Sequence, residues 1–225
     1  MLDKTSWKDL LAKARKGDAN AQDEVGEHYA LGLKTNTNKI IVRQNFTSAF
    51  FWFEKAAKNG VVSALTNIAD FLSEGKGCKK DIIKAIKYYL LAIDKGSSRA
   101  ALNLGTIYRD VGNYKKAFKY YSFANKMDKA DYSFTLGLCY YYGVGVLIDK
   151  VIACKHFLKV SVDKLQMHTQ YEIDEANYIL GHSYLTGEGV KKSIEKSRAF
   201  LKLANTDYDH RSAEQILFII GQTQR

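Results

Sequence analysis

Side chains that could do chemistry are scattered along this chain of 225 residues. Cys154 and His156 are two residues apart, so they would not share a helix face, and the same holds for the adjacent carboxylates Asp174 and Glu175. The sequence also has no zinc-protease, nucleophile-elbow or kinase motif. We therefore expect no enzyme, no metal site and no cofactor. The histidines, none at metal-ligand spacing on one helix, are His28, His156, His168, His182 and His210.

The cysteines and the first residues of the sequence indicate the cellular compartment of the protein. Cys78, Cys139 and Cys154 form neither a CxxC pair nor an even-numbered disulfide framework, so we interpret them as reduced thiols. Whether Cys139 and Cys154 pair stays open, because they could lie on facing helices of one hairpin. The start, MLDKTSWKDLLAKARKGDA, has charge in every turn and no apolar core, unlike a secretory signal. We expect a cytoplasmic protein.

Glycines recur in pairs in three segments: GKGCKKD at 75–81, GVGVLID at 143–149 and GEGVKKS at 187–193. A phosphate-binding loop would need a following GKS or GKT and a preceding strand, and neither is present. Glycine ends helices by taking a left-handed conformation at little cost. We therefore expect each segment to be a turn between two helices.

A helical pattern repeats along the chain. In the first half of each repeat an Ala or Tyr is followed, five residues later, by a residue that is usually small. These residues stand at positions 26, 69, 105, 137, 181 and 218. In the second half two small or apolar residues stand seven apart, almost two helical turns, so that a neighbouring helix can approach closely. Because no stretch alternates convincingly as a strand, the pattern predicts an all-α protein. The second-half pairs are Ala49/Ala56, Ala85/Ala92, Ala117/Ala124, Ala153/Val160 and Ser197/Ala204, with Trp52, Tyr88, Tyr120, His156 and Phe200 three residues after the first member.

The pattern A-x-x-x-L-G-x-x-Y-x-x-G-x-G-V, clearest in ANYILGHSYLTGEGV at 176–190, resembles the Sel-one-like repeat family, which is related to tetratricopeptide repeats. The resemblance implies a right-handed α-solenoid superhelix of stacked antiparallel helix pairs. We expect a capping helix over 1–18 and about five repeats over 19–221, with a degenerate last copy as the C-terminal cap. Irregular insertions are expected at 33–46 and 163–173.

The resemblance also implies a protein-binding groove, because the first helix of each pair lines the concave surface in tetratricopeptide repeats. We expect this groove to change from acidic to aromatic along the chain. Aromatic and Arg side chains are typical anchors of protein interfaces. Tyr29, Tyr108, Tyr140 and Tyr184 occupy the repeat signature and are expected in the core instead. The expected groove residues are Asp70, Arg109, Phe134, Tyr141, Tyr142, Tyr178 and His182.

Net charge suggests the chemistry of the partner. Lys and Arg number 34 against 24 Asp and Glu, giving +10, with lysines concentrated in turns and second helices. A solvated face is the first interpretation and an acidic protein partner the second. Nucleic acid is third, because no recognised nucleic-acid module accompanies the charge. No apolar run is long enough to span a membrane, so no membrane partner is expected.

Function then rests on the family resemblance. Members of the Sel-one-like repeat family act as signalling or assembly adaptors, and small bacterial members occur as immunity proteins. We favour a protein-binding scaffold of the immunity type, which binds and neutralises a cognate toxin or effector. The alternatives are a general adaptor and a nucleic-acid-associated basic repeat protein.

Overall fold

A computed structural model describes residues 4–35, 37–127, 131–163, 166–206 and 210–222. This described part contains twelve α-helices and two short strands. In chain order they are α1 (Lys4–Arg15), α2 (Ala19–Leu31), β1 (Leu33–Lys34), β2 (Ile40–Val42), α3 (Phe46–Lys58), α4 (Val62–Glu74), α5 (Ile82–Asp94), α6 (Ser98–Asp110), α7 (Tyr114–Met127), α8 (Ser133–Tyr142), α9 (Lys150–Ser161), α10 (Gln170–Thr186), α11 (Ile194–Ala204) and α12 (Arg211–Gln222).

The chain divides into two compact units, Met1–Leu104 and Gly105–Arg225. We call them the N-terminal unit and the C-terminal unit. In the N-terminal unit α2 packs on α3, α4 on α5, and α3 also contacts α4. In the C-terminal unit α8 packs on α9, α10 on α11, and α9 also contacts α10. Among the described helices, none combines the length and the apolar character that a membrane crossing needs.

Each second helix of a pair starts with a side-chain cap. The capping oxygen accepts a hydrogen bond from the backbone N–H three residues later, which satisfies one of the free donors at a helix start. These caps begin α3, α5, α7, α9 and α11 in the same way, so each repeat initiates its second helix locally. The capping residues are Asn45, Asp81, Asn113, Asp149 and Ser193.

Within a pair, a glycine of the first helix lies against a large buried side chain of the second. A Cβ on Gly137 would lie 2.7 Å from a ring carbon of Phe157, and one on Gly105 would lie 2.6 Å from the ring of Tyr121. The glycine therefore lets the two helices approach until the ring fills the space between them. Gly26 with Phe53 and Gly181 with Leu201 repeat the arrangement.

The paired glycines of the three turns have separate roles. The first glycine of each turn, Gly75, Gly143 or Gly187, takes a left-handed conformation and ends the first helix. The second glycine also has a positive φ, and its Cα lies against the backbone at the start of the preceding second helix. For Gly145 a Cβ would be 1.9 Å from the carbonyl oxygen of Tyr114. The turn of one repeat thus rests directly on the preceding repeat, and the expected helix–turn–helix role of these glycines is confirmed.

The insertion at 33–46 corrects the expectation that no segment forms a strand. β1 and β2 pair antiparallel, with Leu33 opposite Val42 and Lys34 opposite Ile40. Three consecutive β-branched residues, Ile40, Ile41 and Val42, favour the extended backbone, and Val42 is buried. The insertion also ends one residue earlier than expected, since Phe46 begins α3. Residue 36 lies outside the described part.

The insertion at 163–173 is shorter than expected because α10 already begins at Gln170. Thr169 and Glu172 form a capping box, in which the Thr169 hydroxyl accepts a hydrogen bond from the Glu172 backbone N–H and the Glu172 carboxylate accepts one from the Thr169 backbone N–H. Before this helix, the His168 backbone N–H donates to the nearly buried Asp163 carboxylate at 2.7 Å. The prediction of irregular structure is therefore wrong for 170–173, and residues 164–165 lie outside the described part.

The helix expected over 1–18 corresponds to α1, with residues 1–3 outside the described part. Trp7, Leu10 and Leu11 pack against the cluster formed by Ala14, Ala21, Val25 and Trp52. The ring of Trp7 also meets Tyr29 edge to face, with centroids 5.7 Å apart. This helix therefore covers the apolar side of the first pair, α2 and α3.

Candidate protein-binding surface

Asp70, expected in the groove, is the acceptor at the centre of a polar network in the N-terminal unit. The Tyr89 hydroxyl donates to its Oδ1 at 2.6 Å, and Asn103 Nδ2 donates to the same oxygen at 2.8 Å. Arg99 lies 3.6 Å from Oδ2. Burial raises the pKa of Asp70, while the Tyr89 hydrogen bond, Arg99 and Asn103 oppose that rise. This carboxylate is committed to internal partners, which limits what it can offer another protein.

The polar network continues along α2, α4 and α6. Arg99 donates to Asn67, and both Asn67 and Ser63 donate to Asp23. On the same helix as Asp23, burial raises the pKa of Glu27, and the nearby Asp23 raises it further. The first helices of this unit therefore present a hydrogen-bonded polar surface in which Arg99 offsets part of the acidic charge.

In the C-terminal unit, stacked rings connect the two helices of each pair. Tyr108 stacks on Tyr120 with centroids 5.5 Å apart, and Tyr184 stacks on Phe200 at the same separation. His156 takes the corresponding place in its own repeat, 5.9 Å from Tyr140 and nearly parallel to it. Its role as a substitute for an aromatic packing residue is consistent with this contact.

Several lysines lie over these rings. Lys116 Nζ is 4.9 Å from the ring centre of Tyr108, and Lys196 Nζ is 5.4 Å from that of Tyr184. In the N-terminal unit Lys84 occupies the same repeat position as Lys116 and lies 5.9 Å from Tyr88. Part of the excess basic charge thus serves cation–π contacts within the repeats.

The aromatic residues at the end of α8 form the best candidate contact surface. Tyr141 and Tyr142 meet edge to face at 5.0 Å, and Tyr142 is 62% exposed. Lys150 Nζ lies 3.1 Å from the ring centre of Tyr141 and 3.7 Å from the Glu188 carboxylate. Burial raises the pKa of Tyr141, and Glu188, Tyr142, Cys154 and Tyr178 contribute in the same direction. We call Tyr141, Tyr142, Lys150 and Tyr178 the aromatic surface.

Tyr178 and His182 lie one turn apart on α10. The Tyr178 ring stacks on His210 at 4.6 Å, and His210 in turn lies 3.8 Å from Glu175. His182 is half-buried, and its carbonyl accepts a hydrogen bond from the Thr186 hydroxyl at 3.1 Å. Tyr178 is thus partly used in packing, and Tyr142 offers the most accessible ring of the aromatic surface.

Two other expected groove residues behave differently. Phe134 is only 8% exposed and packs against Phe157 in the core of α8, α9 and α10, so its placement in a groove is wrong. Arg109 is exposed, but its guanidinium binds the neighbouring Asp110 at 2.9 Å.

Two cysteines of the C-terminal unit are buried away from solvent. Cys139 and Cys154 are buried free thiols, and burial raises the pKa of Cys139 to about 11, which keeps it protonated and unreactive at neutral pH. Within the described ranges, no three His, Cys, Asp or Glu side chains gather as a metal ion would require.

Sequence reasoning missed several residues at these surfaces. Tyr89, which orients Asp70, stands four residues after Ala85, and the buried residue of each second helix recurs at this offset: Phe53, Tyr89, Tyr121, Phe157 and Leu201. This recurring offset in the sequence is a signal from which the buried position of each second helix can be predicted. Lys150 was not singled out because its position over Tyr141 depends on how the turn at 143–149 folds.

Comparisons with known proteins agree with this architecture. The sequence matches the Sel1 repeat at 19–61, 62–97, 98–128, 134–159 and 174–206, each match containing or overlapping one helix pair. Human protein sel-1 homolog 2 is 31% identical over 163 residues, which are 68% of this chain and 24% of that protein. The chain spans less than a quarter of the length of the curated relatives it matches.

Two solved structures show the fold. A Sel1 repeat protein from Oxalobacter formigenes has a TM-score of 0.71 at 22% identity, covering 95% of this chain and 80% of that one. Immunity protein Pa5087 from Pseudomonas aeruginosa has a TM-score of 0.50 at 20% identity, covering 83% of this chain and 64% of that one. The expected all-α class of stacked antiparallel helix pairs is confirmed. With five consecutive matches on helix pairs whose glycines and rings interlock, the chain belongs to the Sel1 repeat family.

Proposed function

We infer that this Sel1 repeat scaffold binds a toxin or effector protein and holds it inactive, as an immunity protein does. The observation that carries protein binding is the aromatic surface, where the exposed Tyr142 ring stands beside Tyr141 and the cation of Lys150. Tyr side chains supply large contact area at low entropic cost. The net charge of +10 on the chain suits a partner with carboxylates. The fold shared with immunity protein Pa5087 is compatible with this role.

A preformed scaffold favours tight binding. The Tyr141 ring is held from three sides, by Tyr142, by Phe157 at 6.0 Å and by Lys150. Because these contacts already fix the ring, little side-chain freedom is lost when a partner docks. Binding that covers the partner's own functional surface would then be sufficient to inhibit it, with no catalytic step.

The test is complex formation between the purified chain and the product of the gene adjacent to its own. We expect a stable complex that inhibits the neighbour's toxicity. Tyr142→Ala should weaken it about tenfold or more, since exposed interface tyrosines are common hot spots. Calorimetric titration measures the affinity, and growth of cells producing the neighbour measures inhibition.

Tyr171→Ala is the matched control, because Tyr171 is also an exposed Tyr but lies at the start of α10. We expect it to bind as the wild type does. The absence of any complex with the neighbouring product would contradict the immunity role. A complex that Tyr142→Ala leaves intact would place the interface elsewhere, and a complex with a different cellular protein would instead support an adaptor.

A further inference from the structure

The three glycine-paired turns share a backbone conformation but not a surface. Their first glycines have φ values of 77°, 74° and 87°, and their second glycines 65°, 72° and 75°. The two residues before the helix cap are Lys79 and Lys80 in one turn and Lys191 and Lys192 in another. In the turn at 143–149 they are Leu147 and Ile148, which are 88% and 62% exposed.

The turn itself does not require apolar residues at these two positions. The Cβ of Lys80 lies 3.1 Å from where a Cβ on Gly75 would be, and the Cβ of Lys192 lies 3.6 Å from the same point on Gly187. Ile148 occupies the equivalent place over Gly143. A lysine can cover the glycine with its aliphatic stem and keep its charge in water. The exposed Leu and Ile therefore need a reason other than the stability of the turn.

Neighbouring residues extend the apolar area. The turn before α7 contributes Val111 and Tyr114, which are 64% and 53% exposed. Because Gly145 rests on the Tyr114 carbonyl, the two turns lie side by side and line a shallow, open surface cavity of about 830 Å³. We call Val111, Tyr114, Leu147 and Ile148 the apolar edge. Contiguous exposed apolar area of this kind is typical of an interaction site.

The charge around the cavity indicates what it accepts. Lys115 lines it, and its lining residues, at 111–115, 143 and 145–147, include no carboxylate. Arg109, close in sequence, is already bound to Asp110. An apolar side chain entering this cavity would therefore be matched best by a carboxylate beside it.

We propose that the apolar edge docks a segment of the partner protein in which aliphatic or aromatic side chains alternate with carboxylates. This deepens the proposed function and rests on its protein-binding part, not on the immunity role, since it assigns a second contact surface and an acidic partner chemistry. A second copy of this chain fits less well, because two facing edges would bring Lys115 against Lys115 and the chain carries a net charge of +10.

The test uses peptides selected from a random display library against the intact wild-type chain, then synthesised and titrated. The edge variant is Leu147→Gln with Ile148→Gln, which removes both apolar side chains without adding charge beside Lys115, and it should fold normally because the other turns carry polar residues at both positions. We expect selected peptides to combine apolar residues with Asp or Glu, and to bind the edge variant about tenfold more weakly than the wild type. Lys115→Glu should weaken the same peptides.

The matched control is Leu203→Gln with Ile219→Gln, which makes the same chemical change at two exposed residues of α11 and α12. It should bind the peptides as the wild type does. Selected peptides that bind both double variants equally, peptides rich in basic residues, or no enrichment at all would overturn the proposal. So would a dimer in light scattering, or binding to phosphatidylserine vesicles, that the edge variant abolishes.

The neighbouring gene product separates the two proposals. If Tyr142→Ala weakens its complex and the edge variant does not, the aromatic surface stands and the apolar edge is overturned as a partner contact. If no complex forms with that product but edge-dependent acidic peptides are selected, the immunity role fails and the edge stands.

Discussion

The second and fourth repeats place an aromatic ring at the same position but surround it differently. In the second, the Tyr89 hydroxyl donates to Asp70 on the first helix of its pair. In the fourth, Phe157 lacks a hydroxyl, and the residue corresponding to Asp70 is Leu138, which packs against the same apolar cluster. The third repeat pairs Tyr121 with Thr106 at 3.4 Å. A polar residue thus stands beside each Tyr hydroxyl, and an apolar residue stands beside Phe157. This follows because a buried polar group without a hydrogen bond costs free energy.

The largest expected effect on stability comes from Gly137, the glycine that lies against Phe157 in the fourth repeat. In the second repeat the equivalent residue is Ala69, whereas a Cβ on Gly137 would lie 2.7 Å from Phe157. Because Phe157 is fully buried and cannot move aside, Gly137→Ala should lower the free energy of unfolding by about 1–3 kcal/mol. Urea denaturation measures the change. Gly221→Ala, with open space around its Cβ, is the control and should be neutral or slightly stabilising.

A smaller effect is expected from removing the second repeat's hydroxyl. Tyr89→Phe takes one donor from Asp70, which keeps Asn103 and Arg99, so we expect a loss of about 1–2 kcal/mol at neutral pH. Burial raises the pKa of Asp70 and the Tyr89 hydrogen bond lowers it, so the variant raises that pKa further. A raised carboxyl pKa means that the folded protein binds this proton more readily. The loss of stability caused by Tyr89→Phe should therefore shrink as pH falls below the pKa of Asp70, where the carboxyl group is protonated in both proteins. Thermal unfolding at neutral and acidic pH tests this.

A double variant tests whether the polar pair of the second repeat can be exchanged for the apolar pair of the fourth. Asp70→Leu together with Tyr89→Phe gives the second repeat the residues of the fourth. It should lose less stability than the sum of the two single variants, because neither partner is left unpaired. Additive losses would show that the two side chains act independently.

The smallest effect concerns pH and His156. Burial and then Lys159 lower the pKa of His156, with Asp131 opposing. A histidine pKa below its unfolded value means that protonation favours unfolding, so stability should fall as pH drops through about 6.5 and level off below the folded pKa. His156→Phe, which restores the ring type of Phe200, should remove this decline. Melting temperatures between pH 7.5 and 5 provide the measurement, and an unchanged slope in the variant would contradict the assignment.

Much of the fold could be predicted because the repeat signal is local. Small residues at fixed offsets and paired glycines gave the helix pairs, since a packing position constrains volume wherever it recurs. The strand at Ile40–Val42 was missed because one apolar side chain in three is buried there, too few for an alternating pattern. The start of α10 was misplaced because Thr169 and Glu172 form a cap inside an otherwise irregular-looking segment.

Surface residues were harder to predict because exposure depends on the neighbours that folding supplies. Phe134 and Tyr142 are both aromatic residues of α8, yet Phe134 is packed among residues of α9 and α10 whereas Tyr142, the last residue of the helix, is mostly exposed. Asp70 was expected to face a partner, but Tyr89 and Asn103 come from other helices to occupy it. Sequence spacing gives the face of a helix but not what covers that face.

The second glycine of each turn meets the preceding repeat mainly at main-chain atoms. A contact of that kind makes little demand on the identity of the side chains around it. Such a chain is free to diversify its outer residues by mutation while keeping the helices in register. Lysine pairs in two turns and an aliphatic pair in the third illustrate that freedom: evolution can reassign the exterior of one module without rebuilding its attachment to the next.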